Sequence, residues 1–281
     1  MAKRERSSSG RSRALLGVRP RREDYWWLSS RPLHGLVFLL PLVLLYELGS
    51  LLYLTDVKAG MQQTIRAKKL LDVFFSTFGV AGMLATGIAM LVVLLMWHIL
   101  SRDRWQVRPL VLVGMALEAA LWAIPLVVFG AIFQRATFML DPAASLAMGP
   151  ASLPVCVASG GGDLWAFGWQ ARATVAIGAG IYEELLFRLV GIALLHFLVA
   201  DVLQAGKRLA QVVAVVGSAV AFGFYHDVSL PGGGVAWPAL IFFVVAGLYF
   251  GAIYLWRGFG IVVATHAIYD LIALVILPAQ A

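Results

Sequence analysis

The chain has 281 residues, 61% of them hydrophobic and 13% charged, with a mean hydropathy of +0.86. Soluble globular domains average about 45–50% apolar and about 25% charged residues, so a soluble globular domain is excluded. The apolar runs are continuous rather than alternating, which disfavours a transmembrane β-barrel. The single cysteine, Cys156, excludes an internal disulfide framework and a Cys-rich metal site. The net charge of +7 lies largely in the first 31 residues. It bears on membrane orientation, and no nucleic-acid partner is expected.

Residues 1–32 form a basic, Ser- and Arg-rich tail without apolar periodicity, expected to be largely disordered up to Arg22. Trp26 and Trp27 follow as an interfacial aromatic anchor. The first apolar run, 34–54, is too long for a signal-peptide core and is expected to remain as an anchor. Further spans are expected at 76–100, 110–133, 171–200, 209–226, 237–256 and 260–278. Each reaches the ~17–25 residues that cross ~30 Å of hydrocarbon. The expected fold is therefore all-α, a polytopic transmembrane bundle of about seven spans enclosing an intramembrane polar cavity.

Lysine and arginine set the orientation. The basic tail places the N-terminus in the cytoplasm, with Arg102, Arg104, Arg108, Lys207, Arg208 and Arg257 on the same side. The connections 134–170 and 227–236, poor in base, fall on the other side. One segment disagrees: Lys58, Arg66, Lys68 and Lys69 land outside, so 58–72 is either an amphipathic interfacial helix or evidence of a misplaced span. The 134–170 connection, with Ser159-Gly160-Gly161-Gly162, is long enough to be functional or mobile.

Three groups of polar residues interrupt the late apolar runs. Glu183, Glu184 and Arg188 come first. Ionised groups near a bilayer centre cost roughly 2.5–3.5 kcal/mol each and survive only when they face a protein interior or a wet cavity. Glu184 and Arg188 are spaced i,i+4 and can pair, whereas Glu183 lies about 100° away on the helix and is left to face the cavity as a general base. Phe222 and His226 share one helical face at the end of a small-residue run, and His266 and Asp270 share another. Each group alone also reads as structural: an interhelical ion pair, an interfacial histidine, a buried His–Asp pair. Together they supply two imidazoles and up to three carboxylates, which suits activating a water and stabilising an oxyanion. The same donors suit zinc, with Glu183, His226 and His266 as its ligands. Glu47, Glu118 and His98 are isolated in their spans and read as packing, interface or snorkelling groups.

In order and spacing these residues resemble the CAAX-processing and bacteriocin-processing (CPBP) intramembrane protease family of the Ras-converting enzyme type. Glu183-Glu184 with Arg188 is similar to its EExxxR motif, Phe222 with His226 to FxxxH, and His266 with Asp270 to HxxxN/D. The resemblance covers about 171–278 and implies a multi-helix peptidase of the glutamic type, with no cofactor expected. It implies that Glu183 and His226 activate water while His266 and residue 270 bind the oxyanion. Asp270 departs from the family's asparagine, because an ionised carboxylate cannot donate a hydrogen bond. It is expected to be protonated, to orient His266, or to mark a different division of labour.

The chain thus divides into a tail (1–32), N-terminal helices and a long loop without a recognised motif (33–170), and a catalytic helical core (171–281). The expected activity is hydrolysis of a peptide bond of a membrane-associated protein or peptide, Glu184 belonging to the catalytic set and Arg188 and Phe222 supporting it. The expected setting is the bilayer of a bacterial inner membrane. The competing readings are a non-enzymatic scaffold or bacteriocin-immunity protein, and a proton-coupled transporter using the same carboxylates.

Overall fold

The computed structural model describes residues 24–56, 61–62, 65–77, 85–102, 104–142, 145, 153–155, 164–230 and 233–277. The basic tail through Arg22, Lys58 and the Ser159–Gly162 run lie outside the described residues. A short helix, α1 (Tyr25–Ser29), leads into α2 (Pro32–Tyr53). A two-residue antiparallel pairing, Thr55–Asp56 with Met61–Gln62, precedes α3 (Arg66–Thr77) and α4 (Ala85–Leu100). Then follow α5 (Pro109–Leu140), α6 (Trp169–Val202), α7 (Lys207–Tyr225), α8 (Trp237–Arg257) and α9 (Phe259–Ile276).

Six of these, α2 and α5 through α9, are long and apolar enough to cross a membrane, and the chain is an all-α integral membrane bundle. Pro32 and Pro109 open α2 and α5, where their fixed φ and missing N–H cost nothing. Outward-facing Leu44, Leu48 and Leu52 on α2 and Leu117, Leu121 and Ile124 on α5 are exposed, as lipid-facing side chains should be.

The boundaries differ from the sequence expectation at three places. Residues 76 and 77 close α3 rather than open a span, and α4 has only 16 residues. Helix α5 runs on to Leu140, so the first residues of the expected 134–170 connection are helical. The disagreeing basic segment resolves in part as α3: Lys68 is buried and pairs with Asp72 at 3.0 Å, and Thr86 of α4 donates to the same carboxylate.

Close helix approach comes from glycines. A Cβ on Gly180 of α6 would lie 2.7 Å from the Val263 carbonyl oxygen of α9. One on Gly247 of α8 would lie 2.9 Å from the Ala219 backbone of α7. Such small-residue contacts let helices pack by van der Waals contact where no hydrophobic drive exists. Helices α7 and α8 run antiparallel, Val215 meeting Gly251 and Gly223 meeting Val244. At Gly258, φ is 87°, a left-handed conformation that favours glycine, and the chain turns directly from α8 into α9.

Polar ties secure the end where α2 and α9 begin. Buried Arg257 pairs with Glu118 of α5, donates to Ser29 at 2.8 Å and lies 3.9 Å over the Trp26 ring. Tyr25 and Trp122 also donate to Glu118. Glu118 is thus the anchor of a tether joining α1, α5 and α8. His98 does not snorkel: it is buried, with the Trp105 ring edge-on at 4.5 Å.

Candidate active site

Helix α6 is α-helical through Glu184 and then winds as a π-helix over Leu185–Ile192. A wider turn breaks the regular i→i−4 ladder, and such turns gather at functional sites. Ser218 of α7 donates to the Phe187 carbonyl at 2.7 Å within this stretch, supplying a partner from outside the helix. Glu183, Glu184 and Arg188 are all buried here, Glu183 and Glu184 with no exposed surface.

Two networks diverge from the two glutamates. In the first, Glu183 Oε2 lies 3.8 Å from His226 Nε2. His226 sits where α7 ends, with extended backbone (φ −76°, ψ 159°), and its Nδ1 lies 2.8 Å from the Phe222 carbonyl. A carbonyl only accepts, so Nδ1 carries the proton and donates, capping the last turn. Nε2 is the nitrogen that faces Glu183. Phe243 of α8 stacks on the imidazole at 4.1 Å, and Phe222 packs at 4.6 Å. The Tyr225 ring lies 5.4 Å away and fixes the imidazole edge-on.

In the second network Glu184 Oε1 lies 3.0 Å from Arg188 Nη1 and 2.7 Å from His266 Nδ1. His266 Nε2 lies 3.1 Å from Asp270 Oδ2, completing a chain Arg188–Glu184–His266–Asp270. A neutral imidazole has one N–H, yet both nitrogens here face carboxylates. Either the ring is doubly protonated or a carboxyl shares a proton with it. Arg188 is also held by the Gly247 carbonyl at 3.3 Å and lies 4.4 Å over Phe222 and 5.3 Å over Phe250. The ring of Phe250 stacks on His266 at 4.6 Å.

The structure therefore brings Glu183, Glu184, Arg188, Phe222, His226, His266 and Asp270 together from α6, α7 and α9, with α8 as an aromatic backing. It places them in two linked clusters rather than one. Glu184 has a second partner, His266, beyond the arginine that spacing alone assigned to it. The zinc set fits poorly: His266 is committed through both nitrogens, and among the described residues no group of three His, Cys, Asp or Glu could hold a metal ion. Glu47 lies apart from these clusters, accepting from Tyr182 at 2.6 Å.

Sequence reasoning missed Arg66. It reaches from α3 to donate to the Tyr225 carbonyl at 2.6 Å, one residue before His226. Its guanidinium also lies 5.6 Å over the Tyr225 ring. The only signal was that Arg66 stood on the wrong side for a topology charge.

Residues 165–272 match the model of the Rce1-like family, described as type II CAAX prenyl endopeptidase Rce1-like. Over that stretch the chain is similar to the Rce1-like family. The match spans less than half of the 281 residues but holds every member of both clusters. The matched stretch comprises α6 through most of α9, and Arg66 reaches it from outside. No curated protein and no solved structure matches the chain.

Proposed function

We propose that the protein is an intramembrane endopeptidase that hydrolyses a peptide bond of a membrane-associated protein or peptide. The observation that carries this reading is the pair Glu183 and His226, whose Oε2 and Nε2 face each other at 3.8 Å. That spacing exceeds a direct hydrogen bond, and a water donating to both would be polarised between them. Glu183 takes the water's proton as its oxygen attacks the scissile carbonyl. His226 Nε2 orients the water through its other hydrogen. The tetrahedral oxyanion takes its hydrogen bond from His266 Nε2, the substrate oxygen replacing the Asp270 carboxylate that holds that N–H in the resting site. Collapse breaks the C–N bond, and the proton held by Glu183 passes to the leaving amine. Glu184 and Arg188 fix the charge beside His266. In this reading catalysis is of the glutamic type, and no step runs through a metal. The ends bearing Arg102–Arg108 and Arg257 face the cytoplasm, and the host membrane is a bacterial inner membrane.

The test is mass spectrometry of membrane peptides from cells carrying the wild-type chain or Glu183→Gln, with and without a chelator. Product peptides present with wild type, retained under chelator and lost with Glu183→Gln support the reading. A loss of about 10²–10⁴-fold is expected for a general base. Peptides unchanged between wild type, a folded Glu183→Gln variant and cells lacking the chain would overturn it in favour of a scaffold or immunity role.

A further inference from the structure

Three consecutive residues of α6 are each directed at a different helix. Tyr182 donates its O–H to Glu47 Oε1 of α2 at 2.6 Å. Glu183 faces His226 at the end of α7, and Glu184 meets His266 of α9. Successive helical residues lie about 100° apart, so Tyr182 and Glu184 flank Glu183 around the helix axis. The Glu184 tie belongs to the site already described. The Tyr182 tie does not.

The Tyr182–Glu47 bond is built into a close interface. Helices α2 and α6 run antiparallel, a Cβ on Gly49 striking Thr174 and one on Gly178 striking the Tyr46 ring. Tyr182 has no exposed surface, and the Tyr46 ring meets it edge-on at 5.1 Å. Gly87 of α4 leaves room for the pair: a Cβ there would lie 2.7 Å from Glu47 Oε1 and 3.3 Å from the Tyr182 hydroxyl. Lys68 of α3 lies 6.0 Å over the Tyr182 ring, beside its own partner Asp72. A carboxyl inside an apolar span is costly, and apolar side chains would fill this interface without one. What they would not supply is direction, because packing alone leaves the rotation of a helix loosely set whereas a short hydrogen bond fixes it. The bond also stands where it matters. From Leu185 onward α6 is π-wound, so the regular ladder holds Glu183 only from its N-terminal side, the side on which Tyr182 lies.

We propose that Glu47 and Tyr182 are positioning residues of the peptidase, their bond setting the rotation of α6 at which Glu183 faces His226. The inference rests on the peptidase reading, and both residues act through Glu183. Glu47 lies outside the stretch matched to the family, so the N-terminal helices take part in shaping the site. Steady-state cleavage of a quenched-fluorescence peptide, carrying a site cut in wild-type membranes, is measured on the full-length protein. The forms compared are wild type, Tyr182→Phe, Glu47→Leu, the double variant, Glu47→Gln and Glu183→Gln. A shift of about 1 Å in a reacting group can cost about 10²-fold, so Tyr182→Phe and Glu47→Leu should each lower kcat at least about tenfold with KM within about twofold. The double variant should lose no more than about twofold beyond either single one, because both remove the same bond. Glu47→Gln keeps an acceptor oxygen and should stay within about threefold of wild type. Wild-type kcat in Tyr182→Phe, losses that multiply in the double variant, or a change confined to KM overturns the inference while loss of cleavage in Glu183→Gln leaves the peptidase reading standing. Cleavage by Glu183→Gln at the wild-type rate overturns that reading and this inference with it. Thermal melting in detergent checks folding, and Gly87→Ala replaces Glu47→Leu if the latter does not fold, since its methyl would push the bonded pair apart.

Discussion

Arg66 donates to the carbonyl of Tyr225 at 2.6 Å across 159 positions of sequence. The contact ties α3 to the residue on which the His226 backbone turns out of its helix. A charged hydrogen bond is worth about 1.5–3 kcal/mol. Arg66→Gln is therefore expected to lower kcat about tenfold or more with little change in KM, because it loosens the imidazole rather than a substrate contact. Arg66→Lys should recover part of the loss. Steady-state kinetics on a cleaved peptide decide it; a change confined to KM would remove the positioning role.

Arg188 is buried between Glu184, the Gly247 carbonyl and two phenylalanine rings. Arg188→Met takes the guanidinium from Glu184 in an apolar site and leaves that carboxylate to His266. Breaking a buried pair from one side costs about 3–5 kcal/mol. The variant should melt well below wild type in detergent, and Arg188→Met/Glu184→Gln should recover much of the difference. Equal melting of wild type and the single variant would contradict the geometry.

Gly180 sets the distance between α6 and α9. A methyl there meets the Val263 carbonyl and the Ala267 backbone, neither of which can rotate away. Gly180→Ala should cost about 1–3 kcal/mol and separate Glu184 from His266. At Gly35 a Cβ meets nothing within 4 Å, so Gly35→Ala is the matched control and should melt as wild type does.

Ser218 serves the π-wound stretch rather than its own helix. Removing its hydroxyl leaves the Phe187 carbonyl without that donor. Ser218→Ala should destabilise by about 1 kcal/mol and raise hydrogen exchange selectively over Leu185–Ile192. Uniform exchange along α6 would show that the hydroxyl does not support the wide turn.

Much of this was legible because charged residues are rare in apolar runs. Glu183, Glu184, Arg188, His226, His266 and Asp270 stand out by composition, and i,i+4 spacing pairs Glu184 with Arg188 and His266 with Asp270. What spacing could not show was partnership between helices. The Glu184–His266 contact joins α6 to α9 across 82 positions. The π-winding leaves no mark in a periodicity read at 3.6 residues per turn. Phe243 and Phe250 look like ordinary membrane phenylalanines until their rings are seen stacked on the two histidines. The misplaced 76–100 boundary has the same origin: the apolar phenylalanines of α3 run on from its charged face and hide where a shorter span begins.

Glu183 and Glu184 are consecutive, yet one faces His226 and the other His266. The two carboxylates ride on one stretch of backbone, so a displacement of α6 changes both gaps together. Anything that draws the first carboxylate forward is therefore felt at once by the arginine-centred knot behind it, without any hinge or loop to relay the movement.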